Sequence, residues 1–169
     1  MEIGLSLGSN LGDRLRNLRE AARRIIALPG VSLTAVAPVY ETDPVGAQPQ
    51  YAHLKYLNTV LIVEAPEDVV SLAEAIHQIE TDLGRQRSTD RNAPRTMDID
   101  ILYAGELRCA NGTLDLPHPR WAQRRFVVQP LADVRPGLRL PGWDHTVAGQ
   151  LRDLPAAEAV VRFADAWLD

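Results

Sequence analysis

Arg85–Leu102, RQRSTDRNAPRTMDIDIL, changes character halfway along its length. Up to Arg95 it carries Arg85, Arg87, Arg91 and Arg95 against a single acid, Asp90, with no apolar period to hold them in a core, and so reads as a basic loop. Pro94 stiffens the chain, and from Met97 onward apolar and charged residues alternate: Met97, Ile99 and Ile101 on one side, Asp98 and Asp100 on the other. Period two predicts a strand with both carboxylates on one face. Carboxylates about 7 Å apart repel each other, and a divalent cation removes that repulsion. Hard oxygen donors suit Mg²⁺, which keeps several waters and adds phosphate oxygens to its shell. Guanidiniums just upstream complement such phosphates through bidentate, charge-assisted hydrogen bonds. The alternative is an edge strand with a solvated outer face beside an unspecialised charged loop.

Working outward, Glu2 to Leu7 reads as a buried strand running into the turn Gly8–Asp13, where Asp13 suits a helix N-cap. Leu15, Leu18, Ala22, Ile25 and Ile26 then mark one helix face, ending at Pro29-Gly30. A glycine-rich turn there is a candidate phosphate cradle, although it matches neither the Walker nor the dinucleotide pattern. Val31–Glu41 is the second predicted strand, with Pro38 marking an edge or a bulge. Thr42–Lys55 has two prolines, a glycine and no period, and is expected to be a lid. Tyr56–Val63 is the third strand, with Tyr56 and Asn58 on one face, a plate and an amide suited to a flat heterocycle or simply a half-buried tyrosine. A second helix is expected from Pro66, with Glu67 and Asp68 in its first turn, to Gly84. Its face carries Val69, Leu72, Ile76 and Ile79, with His77 and Glu80 three apart beside it. After the aspartate strand come a small hairpin around Asn111-Gly112, a rigid Pro117-His118-Pro119 corner, and a helix from Arg120 to about Val134. Trp121, read as surface packing, and Arg124, Arg125 and Phe126 lie near its start. The remaining tail offers packing and no obvious chemistry.

Strand, helix, strand, strand, helix, strand is the ferredoxin-like order: an α+β fold, an antiparallel sheet with helices on one face, plus a C-terminal hairpin and helix. Helices on one side leave the other face open for a site. With 169 residues the chain suits one domain, 1–169. A net charge of −4 argues against general affinity for nucleic acid or anionic membrane. Cys109 is the lone cysteine, no apolar run approaches a membrane span, and the N-terminus lacks signal-peptide features. A soluble, cytoplasmic protein is expected.

Gly8-Ser9-Asn10-Leu11-Gly12, Tyr40-Glu41-Thr42 with Pro44-Val45-Gly46, Tyr56-Leu57-Asn58, Ile79-Glu80 with Gly84-Arg85, Pro94-Arg95-Thr96-Met97-Asp98-Ile99-Asp100, and Pro117-His118-Pro119 with Arg124–Phe126 follow one another in that order. Together, over roughly residues 3–136, they resemble the 6-hydroxymethyl-7,8-dihydropterin pyrophosphokinases of folate biosynthesis. That resemblance implies transfer of pyrophosphate from ATP to the pterin hydroxymethyl group, with AMP released. It implies two Mg²⁺ ions on Asp98 and Asp100, with Arg85 and Arg95 beside them in catalysis. It further implies nucleotide contacts at His77, Glu80, Arg87, Ile101, His118 and Arg124, and a pterin pocket at Thr42, Val45, Tyr56, Asn58 and Phe126. ATP and the pterin are then the only partners, and a monomer is expected. Asn92, where many relatives have a loop tryptophan, and His77, Thr113 and Asp115 depart from the commoner pattern. Two other classes remain in view: a binding module of the same fold without turnover, and a metal-dependent phosphohydrolase with water as acceptor.

Overall fold

A computed structural model describes residues 1–85, 93–156 and 159–169; the expectations placed on Arg87 and Asn92 lie outside the described residues. Strand β1 (Glu2–Ser9) occupies the middle of an antiparallel sheet. It pairs with β4 (Tyr56–Glu64) on one side and β5 (Asp98–Ala104) on the other. On the far edge of β4 lie β2 (Ser32–Val36) and β3 (Val39–Thr42). The predicted strand Val31–Glu41 is thus two strands. Pro38 has no N–H to donate, and the gap is closed by Ala37 N–H bonding to the Val60 carbonyl at 3.0 Å.

Alternation along β1 sends Ile3, Leu5 and Leu7 to one face, where they meet Leu18, Ala22 and Ile25 of α1 (Arg14–Ile26) and Leu72, Ile76 and Ile79 of α2 (Val69–Asp82). Asp13 caps α1 by accepting from the Arg16 N–H at 3.2 Å. Asp68 caps α2 in the same way, accepting from Ser71 N–H at 3.1 Å, so Pro66 and Glu67 precede that helix instead of forming its first turn.

The second face is open only in part. α3 (Arg125–Val134) and α4 (Val147–Asp153) pack on it through Val127, Val128, Leu131 and Val147, against Val60 and Ile62 of β4. Trp121, read from the sequence as surface packing, is fully buried there, in a short 3-10 turn that replaces the first part of the expected Arg120–Val134 helix. At the same end of β1 a Cβ on Gly4 would stand 2.3 Å from the Tyr103 ring, so only glycine lets that ring lie flat on the strand. What remains uncovered is the end where β1 finishes and β4 and β5 begin.

The short hairpin of β6 (Cys109–Ala110) and β7 (Asp115–Leu116) leads into the His118 corner, tied to β5 by His118 N–H to the Leu102 carbonyl at 2.8 Å. The tail adds an unexpected strand, β8 (Val160–Ala164), on the outer edge of β3. Trp167 then buries its indole, donating to the Ala37 carbonyl at 2.8 Å. Among the described residues no helix is long and apolar enough to cross a membrane.

Candidate active site

Strand register builds the site. Gly8 lies directly between Asn58 on β4 and Asp98 on β5, and Ser6 between Val60 and Asp100. With strands about 4.8 Å apart, the Asn58 and Asp98 backbones face each other across roughly 10 Å of floor. A Cβ on Gly8 would sit 3.0 Å from Asn58 Oδ1 and 3.5 Å from the Tyr56 ring, so the glycine keeps that floor clear. Small and polar residues alternating with Leu5 and Leu7 were the sequence signal for this approach, and it was missed.

Two cavities open from this floor. The larger, about 650 Å³, is lined by α2 residues His77 and Glu80, by Arg85, by Ile101, and by Thr113, Asp115 and His118 from the hairpin and corner. The smaller, about 360 Å³, is lined by Thr42, Val45, Tyr56, Asn58 and Phe126, together with Ser6, Gly8 and Gln123. Asn58 Nδ2 donates to Thr42 Oγ1 at 2.7 Å, which fixes the plane of its amide within the smaller cavity. Arg95, Asp98, Asp100, Arg120 and Arg124 line both. Every described residue that the resemblance assigns to the site borders one cavity or the other; Arg120, which borders both, was not named.

The shared wall is a charge network. Asp98 accepts from Arg85 Nη1 and from Arg95 Nη1, each at 3.0 Å. Arg85 also pairs with Glu80, a carboxylate only 5% exposed that further accepts the Ile99 N–H at 3.0 Å. Burial raises the Glu80 pKa against the pull of that N–H and of Arg85. For Arg85 burial works against the charge, but Asp98 and Glu80 outweigh it and raise the pKa. Asp100 has no guanidinium within ion-pair distance among the described residues, and burial followed by repulsion from Asp98 pushes its pKa up to about 7. Arg124 lies over the Phe126 ring, 5.6 Å from its centroid; burial lowers its pKa while Asp100 opposes the shift.

The Gly8–Asp13 turn is not the phosphate cradle that its composition suggested. Asn10 is 3% exposed and already committed: Nδ2 donates to the Leu54 carbonyl at 3.1 Å and Oδ1 accepts the Arg95 N–H at 2.8 Å. The turn ties the ends of two loops together, and neither cavity reaches past Gly8. A ferredoxin-like sheet with paired carboxylates and arginines between two cavities defines a phosphoryl-transfer type of site with room for two ligands.

The comparisons with known proteins agree. The family profile of 7,8-dihydro-6-hydroxymethylpterin-pyrophosphokinase (HPPK) matches residues 4–136, and the chain belongs to this family. It is 39% identical over 130 residues to the 2-amino-4-hydroxy-6-hydroxymethyldihydropteridine pyrophosphokinase of Bacillus subtilis, covering 77% of this chain and 75% of that one. It is 35% identical over 133 residues to a mitochondrial folate synthesis bifunctional protein of Pisum sativum, covering 79% of this chain but only 25% of that longer protein. Among solved structures, a Plasmodium falciparum HPPK-DHPS with pterin and p-hydroxybenzoate superposes with a TM-score of 0.66 at 13% identity. That match covers 89% of this chain and 43% of the Plasmodium chain, and it speaks for the fold alone.

Proposed function

We propose that the smaller cavity takes the pterin, the larger takes ATP, and the wall shared between them carries out the transfer. The chain is a pyrophosphokinase of folate biosynthesis, passing pyrophosphate from ATP to the hydroxymethyl group of the dihydropterin. The observation that carries the assignment of residues is the shared wall: Asp98, Asp100, Arg95 and Arg124 face both cavities, so donor and acceptor meet at one set of charges.

In the smaller cavity Tyr56 and Phe126 offer ring faces to a flat heterocycle, and Asn58, oriented by Thr42, offers donor and acceptor atoms to its edge. Val45 lines the loop side of that cavity. In the larger cavity Arg85, Arg95 and Arg124 neutralise the triphosphate, while His77, Glu80, Ile101 and His118 border the nucleotide; the resemblance assigns Arg87 to the triphosphate as well. The acceptor oxygen bonds to the β-phosphorus as the bond to the bridging α-oxygen breaks, so AMP leaves with that electron pair and the hydroxyl proton passes to solvent. Such a transfer asks the protein chiefly for alignment and charge neutralisation.

The donor set suits Mg²⁺: two carboxylates on one strand face, one of them with no guanidinium within ion-pair distance among the described residues, leave room for waters and phosphate oxygens in the shell. Bound there, two Mg²⁺ ions supply charge stabilisation and lower the pKa of the attacking hydroxyl. Asp98 and Asp100 would hold them, with Arg85 and Arg95 beside the phosphates. None of the residues whose loss would mark a binding module without turnover is missing. Residues of one chain line both cavities, so a monomer suffices for the site, and we read the chain as a single domain, 1–169, at work in the cytoplasm.

The test is direct. Purified protein with Mg²⁺, ATP and the hydroxymethyl dihydropterin should release AMP in step with pterin diphosphate. Stoichiometric ADP, or release without the pterin, overturns the reading.

A further inference from the structure

We propose that Arg14 is a positioning residue that clamps both stems of the 43–55 loop bordering the smaller cavity, and that β8, beyond the stretch matched by the family, completes the clamp. Arg14 stands in the first turn of α1, on the sheet face opposite the floor of the smaller cavity. Its Nη1 donates to the Lys55 carbonyl at 3.0 Å and pairs with Glu41 Oε2 at 2.7 Å. Glu41 lies on β3 just ahead of the loop, and Lys55 is the loop's last residue, so one guanidinium joins the two ends.

The same guanidinium carbon is 5.7 Å from the ring centroid of Phe163 on β8, and Val161 of β8 faces Glu41 in register. Phe163 and Val161 are 47% and 62% exposed, unusual for such residues on a strand, and the Phe163 ring lies against an Arg14–Glu41 pair whose side chains are 27% and 28% exposed. Directly beyond the clamp, Thr42 and Tyr56 are paired across the sheet, and both line the smaller cavity. Fixing Glu41 to Lys55 through Arg14 therefore sets the spacing of the first pair of residues that meet the pterin, without Arg14 touching any ligand.

The chain has one lysine, Lys55, so a lysine-specific endoproteinase has a single cleavage site, located on the clamped stem. Cleavage of folded protein at Lys55 is compared for wild type, Arg14→Gln, Glu41→Gln and Phe163→Ala, with circular dichroism confirming the fold. Turnover is measured alongside. Losing one part-exposed hydrogen bond and ion pair should raise cleavage of Arg14→Gln about fivefold, with Phe163→Ala and Glu41→Gln in between. The pterin KM should rise by a similar factor, while kcat and the ATP KM hold. If Arg14→Gln does not fold, Glu41→Gln and Phe163→Ala carry the comparison. Wild-type cleavage in the folded variants overturns the clamp. Faster cleavage with an unchanged pterin KM, or an equal rise in the ATP KM, overturns its link to the site. The activity arm rests on the proposed reaction; if wild type forms no AMP, that reading fails while the cleavage rates still decide whether Arg14 holds the loop.

Discussion

Oδ2 of Asp100 lies 3.8 Å from Nε2 of His118. His118 Nδ1 accepts the Arg120 N–H at 3.1 Å, so the ring proton sits on Nε2 and faces the carboxylate. Burial, then Arg124 and Arg120, lower the His118 pKa to about 4, so the imidazole is neutral at pH 7. At that separation the neutral imidazole neither hydrogen-bonds nor neutralises Asp100, and the carboxylate's charge is left uncompensated by it.

The raised pKa of Asp100 makes a stability prediction. The folded protein holds this proton up to about pH 7 and the unfolded chain only to about pH 4, so the carboxylate's contribution falls as pH rises between those values. Asp100→Asn, neutral throughout, should therefore match wild type near pH 4 and exceed it at pH 8 in chelator. The side chain is 37% exposed, and with that screening allowed for the gain is about 1 kcal/mol, or about 2–4 °C in Tm. Thermal melts across pH decide the point; a Tm below wild type at pH 8 contradicts it.

For catalysis the same substitution should be severe. Asp98→Asn and Asp100→Asn should each lower kcat on the order of 100-fold or more, because neutral amides are poor ligands for Mg²⁺. Steady-state AMP release at saturating Mg²⁺ measures this, and rates near wild type in either variant would end the metal assignment.

Aromatic removal should separate the two ligands. Phe126→Ala or Tyr56→Ala should weaken pterin binding by about 1–3 kcal/mol while shifting ATP binding far less. Calorimetric titration with each ligand distinguishes the cavities. Equal losses from Phe126→Ala would show that the ring acts through Arg124, which lies on its face.

Gly8→Ala tests the floor between Asn58 and Asp98. The new methyl would press on Asn58 Oδ1 at 3.0 Å, and Asn58 is held by Thr42, so its amide cannot yield freely. A rise in pterin KM of about tenfold with little change in Tm is expected, at a cost of about 1.4 kcal/mol. An unchanged KM would mean that the amide does not meet the pterin.

Glu80 and Arg85 form a largely buried pair, with side chains 6% and 18% exposed. Arg85→Ala strands the carboxylate and should cost about 3 kcal/mol of stability. Adding Glu80→Gln should recover part of that loss while leaving activity low. A double variant no more stable than Arg85→Ala in denaturant titration would show that the pair is not coupled.

Local pattern settled much of this protein. Alternation through Met97–Ile101 is a property of neighbouring residues, and so was readable as a strand with Asp98 and Asp100 on one face; the same holds for the Asp13 cap and the apolar stripes of α1 and α2. The motif order was enough to point to the family and to the aspartates, arginines, rings and amide that line the cavities, but not to Ser6, Arg120 or Gln123 beside them. What only the tertiary structure decided depends on pairing across long separations, which periodicity does not encode: Gly8 placed between Asn58 and Asp98, Asn10 committed to two loops, and Arg14 joining Glu41 to Lys55. The tail was opaque for the same reason. Val160–Ala164 has exposed Val161 and Phe163 and no buried face of its own to mark a strand; it becomes one because the edge of β3 offers unpaired backbone groups and Ala37 accepts the indole of Trp167.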